Sequence, residues 1–228
     1  MLELKIDLHV HTNYSDSLSS VEEVLEAARR KKLDGVAITD HDTMMGVEEA
    51  RDQAHGLLLI PGIEVGTVEG HLLILGVTKP PLKGLSAVKV AEYARTNGGV
   101  VIIAHPHVPF RSFNEEAIRR IRPDAIETYN AKTPFSKQMI RKNIDLAERL
   151  GLPQTGGSDS HMHQTVGDMY TLVTVASRRV EDVVEAIRRG RIRPAGHPSP
   201  LWERPIWSLH RVFHRLRLAL TANTSGKP

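Results

Sequence analysis

An α/β fold with parallel strands is predicted by two features of the chain. Short apolar, β-branched runs alternate with helical periodicities, and several of the runs are apolar throughout, as strands covered by helices must be. Its 228 residues, 40% hydrophobic and 25% charged, suit one soluble domain with a sizeable core and room for an appendage.

In chain order the strand-like runs are 4–10, 35–39, 58–64, 71–77, 100–104, 125–129, 154–158 and 171–175. Ser20 with Glu23 forms a capping-box pattern, and Val21, Val24, Leu25 and Ala28 follow at helical spacing. Residues 86–97, 135–150 and 179–189 read as three more helices, with Gly98, Gly151 and Gly190 just past their ends. No internal repeat or low-complexity stretch interrupts this alternation.

The alternation ends at His197-Pro198-Ser199-Pro200, where each proline restricts itself and its predecessor. The expected division is a catalytic body at 1–197 and a Pro-rich linker with a basic amphipathic helix at 198–228. In that tail Ile206, Leu209, Phe213, Leu216 and Leu220 make an apolar stripe opposite Arg211, His214 and Arg215. Docking on its own body or on a sister subunit is the expectation for the tail, and an anionic membrane surface is the alternative.

Charge narrows the partners. The net charge is +3, but residues 201–228 hold five basic side chains against one acid. The preceding 200 residues therefore carry 25 basic and 26 acidic residues, a net −1. The body has no basic excess to attract a polyanion, so no stable nucleic-acid complex is expected. The N-terminus lacks the basic flank and apolar core of a signal peptide, and no apolar run approaches the ~18 residues of a membrane span. The expectation is a cytoplasmic enzyme.

With no cysteine, thiolate sites and disulfides are unavailable, and any metal must be held by nitrogen and oxygen. The 12 histidines then need an explanation. His9 and His11 are two apart on the first strand and project from one face, near its C-terminal end. Barrel enzymes build their sites at that end. The pattern recurs: Thr39-Asp40-His41-Asp42 ends the second run, Glu64 the third, His71 opens the fourth, His105-Pro106-His107 follows the fifth, and Asp159-Ser160-His161 follows 154–158 as a further same-face pair. Ligand-type side chains at most strand ends point to a metal cluster.

The order His9-x-His11 with Asp16, Thr39-Asp40-His41, Gly62-Ile63-Glu64, His71, Ala104-His105-Pro106 and Gly157-Ser158-Asp159-Ser160-His161 resembles the PHP (polymerase and histidinol phosphatase) domain, over residues 1–197. The resemblance implies a distorted (β/α)7 TIM-like barrel with a trinuclear metal centre that hydrolyses phosphoesters. By that similarity one ion takes His9, His11, Glu64 and Asp159. Glu64 bridges to a second, which adds His105 and His71, and a third takes Asp16, His41 and His161. Some members place a histidine on the strand that here reads Ala125-Ile126-Glu127-Thr128-Tyr129-Asn130.

Three divalent ions with Asp16, Glu64 and Asp159 and one bridging hydroxide leave a formal charge of about +2, the complement of a phosphate monoester dianion. Histidine and carboxylate ligands suit Mn, Fe or Zn alike. The bridging hydroxide is the expected nucleophile, with Asp40 and His107 as further catalytic candidates. Asp7 reads as a supporting residue, and Asp40 or Asp42 as the group that orients the His41 ring. Arg111 and Lys132 are the candidates for substrate phosphate. A small phosphometabolite or nucleotide is the expected substrate. An oligonucleotide exonuclease, a metal-dependent amidohydrolase and a non-catalytic metal-held scaffold are the alternatives.

Overall fold

The structure, a computed structural model, describes residues 1–108, 111–133, 136–200 and Trp202. The predicted C-terminal helix lies outside the described residues. In order the elements are β1 (Leu2–Val10), α1 (Val21–Arg30), β2 (Gly35–Ile38), α2 (Met45–Ala50), β3 (Leu58–Gly66), β4 (His71–Leu75), α3 (Ala87–Thr96), β5 (Val100–Ile103), β6 (His107–Val108), β7 (Arg111–Ser112), α4 (Glu115–Ile121), β8 (Ala125–Asn130), α5 (Ser136–Leu150), β9 (Gln154–Gly157), β10 (Met169–Val175), α6 (Val180–Arg188) and β11 (Ile192–Gly196).

Nine strands form one sheet in the order β11-β10-β1-β2-β3-β4-β5-β8-β9, curled into a nearly closed barrel. β1 belongs to both edges of the seam. Its first half pairs antiparallel with β10, from Leu2 opposite Val175 to Ile6 opposite Thr171. Its second half meets the chain leaving β9, where the Asp159 amide donates to the His9 carbonyl at 2.8 Å and the His11 amide to the Ser160 carbonyl at 3.0 Å. The seam thus closes at the end that carries the histidines.

The expectation of parallel strands holds for β1–β2–β3 and for β5–β8–β9. It fails for β4 and β10, whose pairings are antiparallel, as is that of β11 with β10. The reason for β4 is the connection: only four residues separate β3 from β4, and the Thr67 amide bonds back to the Gly70 carbonyl at 2.9 Å. A parallel crossover needs a dozen residues or more. Reversal puts the first residue of β4, His71, at the same end of the barrel as the last residues of β3.

Two apolar layers follow from strand alternation. Inside the barrel Leu4, Ile6, Leu8, Ala37, Ile60, Leu73, Leu75, Val100, Ile102 and Ala125 make one core, and Val183, Val184, Ala186 and Ile187 of α6 join it. That helix plugs the end opposite the histidines, its Val184 packed on Gly76 and Arg188 bonded to the carbonyls of Gly98 and Gly99. Outside, Val24, Leu25, Val36, Ile38, Ile63, Leu72, Ile74, Val90, Val101, Ile103, Ile118 and Ile126 fill the layer between strands and helices.

The capping box at α1 is complete, with Glu23 N–H donating to Ser20 Oγ at 3.2 Å and Ser20 N–H to Glu23 Oε2 at 2.9 Å. Gly151 and Gly190 both follow their helices at φ 64°, a conformation that costs glycine least. Helices α2 and α4 and strand β11 have no counterpart in the sequence reading. The two helices run only six and seven residues, too short to establish a period. Among the described residues no helix is long and apolar enough to cross a membrane.

Candidate metal centre

The nine side chains singled out at strand ends meet at the mouth of the barrel. Their ligand atoms fall into four groups, each within 4.8 Å: His11, Asp16, His41 and His161; His9, His11 and Glu64; His9, His105 and Asp159; His41, Glu64 and His71. The groups share His9, His11, His41 and Glu64, and they cut across the ligand sets that the family resemblance implies.

Glu64 is the hub. One oxygen lies 3.3, 3.2 and 3.2 Å from ring nitrogens of His9, His11 and His41. The other lies 2.7 Å from His71 Nδ1 and 3.1 Å from His105 Nε2. Asp159 Oδ1 is 3.4 Å from His11 Nε2, and Asp16 Oδ1 is 2.9 Å from His161 Nε2. Nitrogen and oxygen donors about 2.1 Å from one ion stand roughly 3 Å apart along the edge of its polyhedron. The observed spacings match that edge. His9 Nε2 and His11 Nε2 also face each other at 3.1 Å, an approach that a shared cation relieves. The Nδ1 atoms of His11 and His105 are buried without a hydrogen-bond partner among the described residues. The donor set fits divalent ions.

Backbone geometry makes the convergence. The amide of Asp42 donates to the Glu64 carbonyl at 2.9 Å and that of Glu64 to the Asp40 carbonyl at 3.2 Å, locking His41 beside Glu64. Asp159 and His161 were expected to share a face as strand neighbours. Instead β9 ends at Gly157, and Asp159 takes φ 50°, so a left-handed turn brings them together. His105, at φ 28°, leaves β5 in the same way. Such backbones cost on the order of 1–3 kcal/mol each and concentrate at functional sites.

Electrostatics in the metal-free protein are extreme. Burial opposes ionisation of Asp16, Glu64 and Asp159, yet the imidazoles around them, with Lys132 beside Asp159, hold all three below the usual carboxylate range. Burial also opposes charge on the rings. For His11, hydrogen bonds to Asp159 and Glu64 outweigh it and push the pKa up to about 9. His9 and His105 are raised too, by carboxylates that outweigh burial. In His161 burial, then Lys132 and His11, push the value down to about 3, which leaves a neutral ligand-type ring. The pull of these carboxylates that favours protons on His9, His11 and His105 is the pull that they would exert on cations.

The other expectations fare differently. Asp7 supports from below, accepting from the amides of Ser158 at 2.9 Å, Gly167 at 2.7 Å and His9 at 3.3 Å, and burial pushes it up to about 6. Asp40 does not orient His41. Its oxygens accept from Thr12 N–H, Thr12 Oγ1 and Ser15 Oγ, each at 2.7 Å, and so latch the loop that carries Asp16. Asp42 accepts from the Gly66 amide instead. The His41 ring is held between Glu64 and Asp16. His107 pairs with Asn143 Oδ1 at 2.7 Å and joins none of the four groups. Lys132 Nζ reaches 2.6 Å from His161 Nδ1. Arg111 opens β7, and its side chain lies outside the described residues. Sequence reasoning missed Glu127 and Asn130, whose Glu-x-x-Asn spacing at the end of a strand was the available signal.

Comparison with known proteins agrees with this geometry. The PHP domain model matches residues 7–133 and the PHP-associated model residues 140–192. An uncharacterised protein of Methanocaldococcus jannaschii is 32% identical over 156 residues, 63% of this chain and 90% of its own length. The 5′-3′ exoribonuclease Rnm of Salmonella typhimurium is 41% identical over 70 residues, 28% of this chain and 24% of that enzyme. A two-domain protein of Bacteroides vulgatus containing a predicted PHP-like metal-dependent phosphoesterase superposes with a TM-score of 0.75 at 21% identity, over 86% of this chain and 65% of that one. The last likeness is one of fold. The ligand set at one mouth and the family match over more than half of its length establish that the chain belongs to the PHP domain family of metal-dependent phosphoester hydrolases.

Proposed function

We propose that the mouth holds three divalent ions and hydrolyses the phosphate ester of a small metabolite or nucleotide. The observation that supports this reading best is the overlap of four ligand groups through His9, His11, His41 and Glu64, which suits a shared cluster better than one isolated ion. On this reading His9, His11, Glu64 and Asp159 hold one ion, Glu64, His71 and His105 a second, and Asp16, His41 and His161 a third, with Mn, Fe or Zn all compatible. Bound ions would acidify a water to a pKa of about 7, making it a nucleophile at neutral pH, and offset charge on the phosphoryl oxygens.

The chain's own groups have definable tasks. His11 gives up its extra ring proton on loading. Asp159, Glu64 and Asp16 stay ionised. Lys132, part-buried beside His161 and Asp159, would meet a phosphate oxygen on this reading. The net −1 of residues 1–200 argues for a compact substrate over a long polyanion.

The similarity to an exoribonuclease supports a second reading, a short-oligonucleotide hydrolase using the same ligands. A phosphate-release screen of phosphorylated metabolites and nucleotides, run with Mn, Fe or Zn beside 5′-phosphorylated RNA oligomers, separates the two. Monoester turnover that is lost in His9→Ala and Asp159→Ala is expected. Oligomer shortening without monoester turnover favours the second reading, and no turnover with any of the metals sinks both.

A further inference from the structure

Glu127 belongs to none of the four ligand groups, yet it touches two members of one of them directly and the third through Asn130. It lies on β8, 1% exposed, inside the barrel below the mouth. Its Oε1 is 2.9 Å from His9 Nδ1. Its Oε2 accepts from the His105 amide at 3.0 Å and from Asn130 Nδ2 at 3.0 Å. The same Asn130 nitrogen donates to Asp159 Oδ2 at 3.1 Å. His9, His105 and Asp159 are the three members of one group.

We propose that Glu127, with Asn130, is the positioning residue for the ion held by His9, His11, Glu64 and Asp159, and that it steadies the backbone of His105 beside that ion. This rests on the metal-cluster reading above and adds which ion depends on which outer carboxylate.

The chemistry follows from donors and acceptors. An ionised carboxylate can only accept, so its contact with His9 calls for a proton on Nδ1. The lone pair of His9 is then on Nε2, which faces Glu64 and Asp159 at 3.3 and 3.7 Å. The bond to the His105 amide pins a residue held at φ 28°. Asn130 occupies Asp159 Oδ2 and leaves Oδ1 to the centre, 3.4 Å from His11 Nε2. With both oxygens turned toward these donors, Glu127 is a brace, not a ligand.

The neighbouring strand leaves room for the brace. A Cβ at Gly157 would meet Glu127 Oε1 at 2.8 Å and His9 Cβ at 2.5 Å, so only glycine allows the carboxylate and the imidazole to meet there.

Glu127→Gln tests the proposal, because the amide keeps the size and turns N–H donors against N–H donors. Purified wild type and E127Q are stripped and titrated with Mn²⁺ by calorimetry, with ion counts by elemental analysis and the fold followed by circular dichroism. Loss of about 10- to 100-fold in affinity for one ion is expected, with the ion of Asp16, His41 and His161 bound as in wild type. In ¹⁵N-histidine spectra of Zn²⁺-loaded protein, wild-type His9 should show a protonated Nδ1, and that signature should vanish in E127Q. Should E127Q fail to fold, Asn130→Ala carries the test, with a smaller loss at the same single ion. Wild-type affinity and an unchanged His9 signature in a folded variant would overturn the proposal. A wild type that takes up no metal would overturn the cluster reading itself.

Discussion

Glu64 and His71 face each other across the β3–β4 hairpin, with His71 Nδ1 2.7 Å from Glu64 Oε1. The pair exists because β4 runs back along β3 with Gly66 opposite His71 and Glu64 opposite Leu73. One carboxylate from an upward strand and one imidazole from a downward strand therefore share the mouth.

Glu64 has five imidazoles within 3.3 Å, so replacing it removes the anion common to the cluster. Glu64→Gln is expected to lower kcat by about 10³-fold or more, corresponding to roughly 4 kcal/mol of lost charge stabilisation. Metal content should fall in parallel. Steady-state kinetics with elemental analysis of the same preparation checks both.

Stability and metal uptake should respond to pH with opposite signs. In the metal-free protein His11 has a pKa raised from 6.5 to about 9. Its contribution to stability is complete below pH 6.5 and is lost as pH rises through about 9. Metal must displace that proton. Affinity should therefore rise by about tenfold per pH unit for each proton released. Thermal unfolding from pH 6 to 9 should show a Tm that falls without metal and a metal-induced increase that grows. Calorimetry in buffers of different ionisation enthalpy should register proton release on loading.

Asp40 separates a latch from a catalyst. Its three donors at 2.7 Å hold the loop bearing Asp16, so Asp40→Asn should destabilise the fold by about 2 kcal/mol and weaken metal binding. Saturating metal should restore turnover if the residue acts only through the loop. Turnover that stays low at saturating metal, with normal ion content, would return Asp40 to the list of catalytic groups.

Leu73 is 1% exposed in the barrel interior, directly opposite Glu64. Leu73→Ala should cost about 2–5 kcal/mol by lost burial and the cavity left below the mouth. Urea unfolding measures the loss, and its midpoint should shift with little change in the m-value.

Much of the site was legible because each ligand is announced locally. His9 and His11 alternate on one strand, Glu64 and His105 end apolar runs, and the Asp159–His161 segment follows another. The strand starts, the capping box and the glycines after three helices are likewise properties of a few adjacent residues. Parallel pairing was overextended because apolar periodicity reports burial and carries no information on strand direction. The β3–β4 turn and the antiparallel β10 depend on which edge each strand finds.

From its amino-acid order alone this protein declares an α/β body, the residues that can ligate metal and their place at strand ends, since backbone periodicity and side-chain chemistry are short-range. Only the tertiary structure decided how those ligands group, which strands reverse, that α6 plugs the far end, and that Asp40 serves a loop and Glu127 a histidine. Those relationships join residues as far apart as His9 and Glu127, 118 positions along the chain, and contacts across such separations exist only once the barrel has closed.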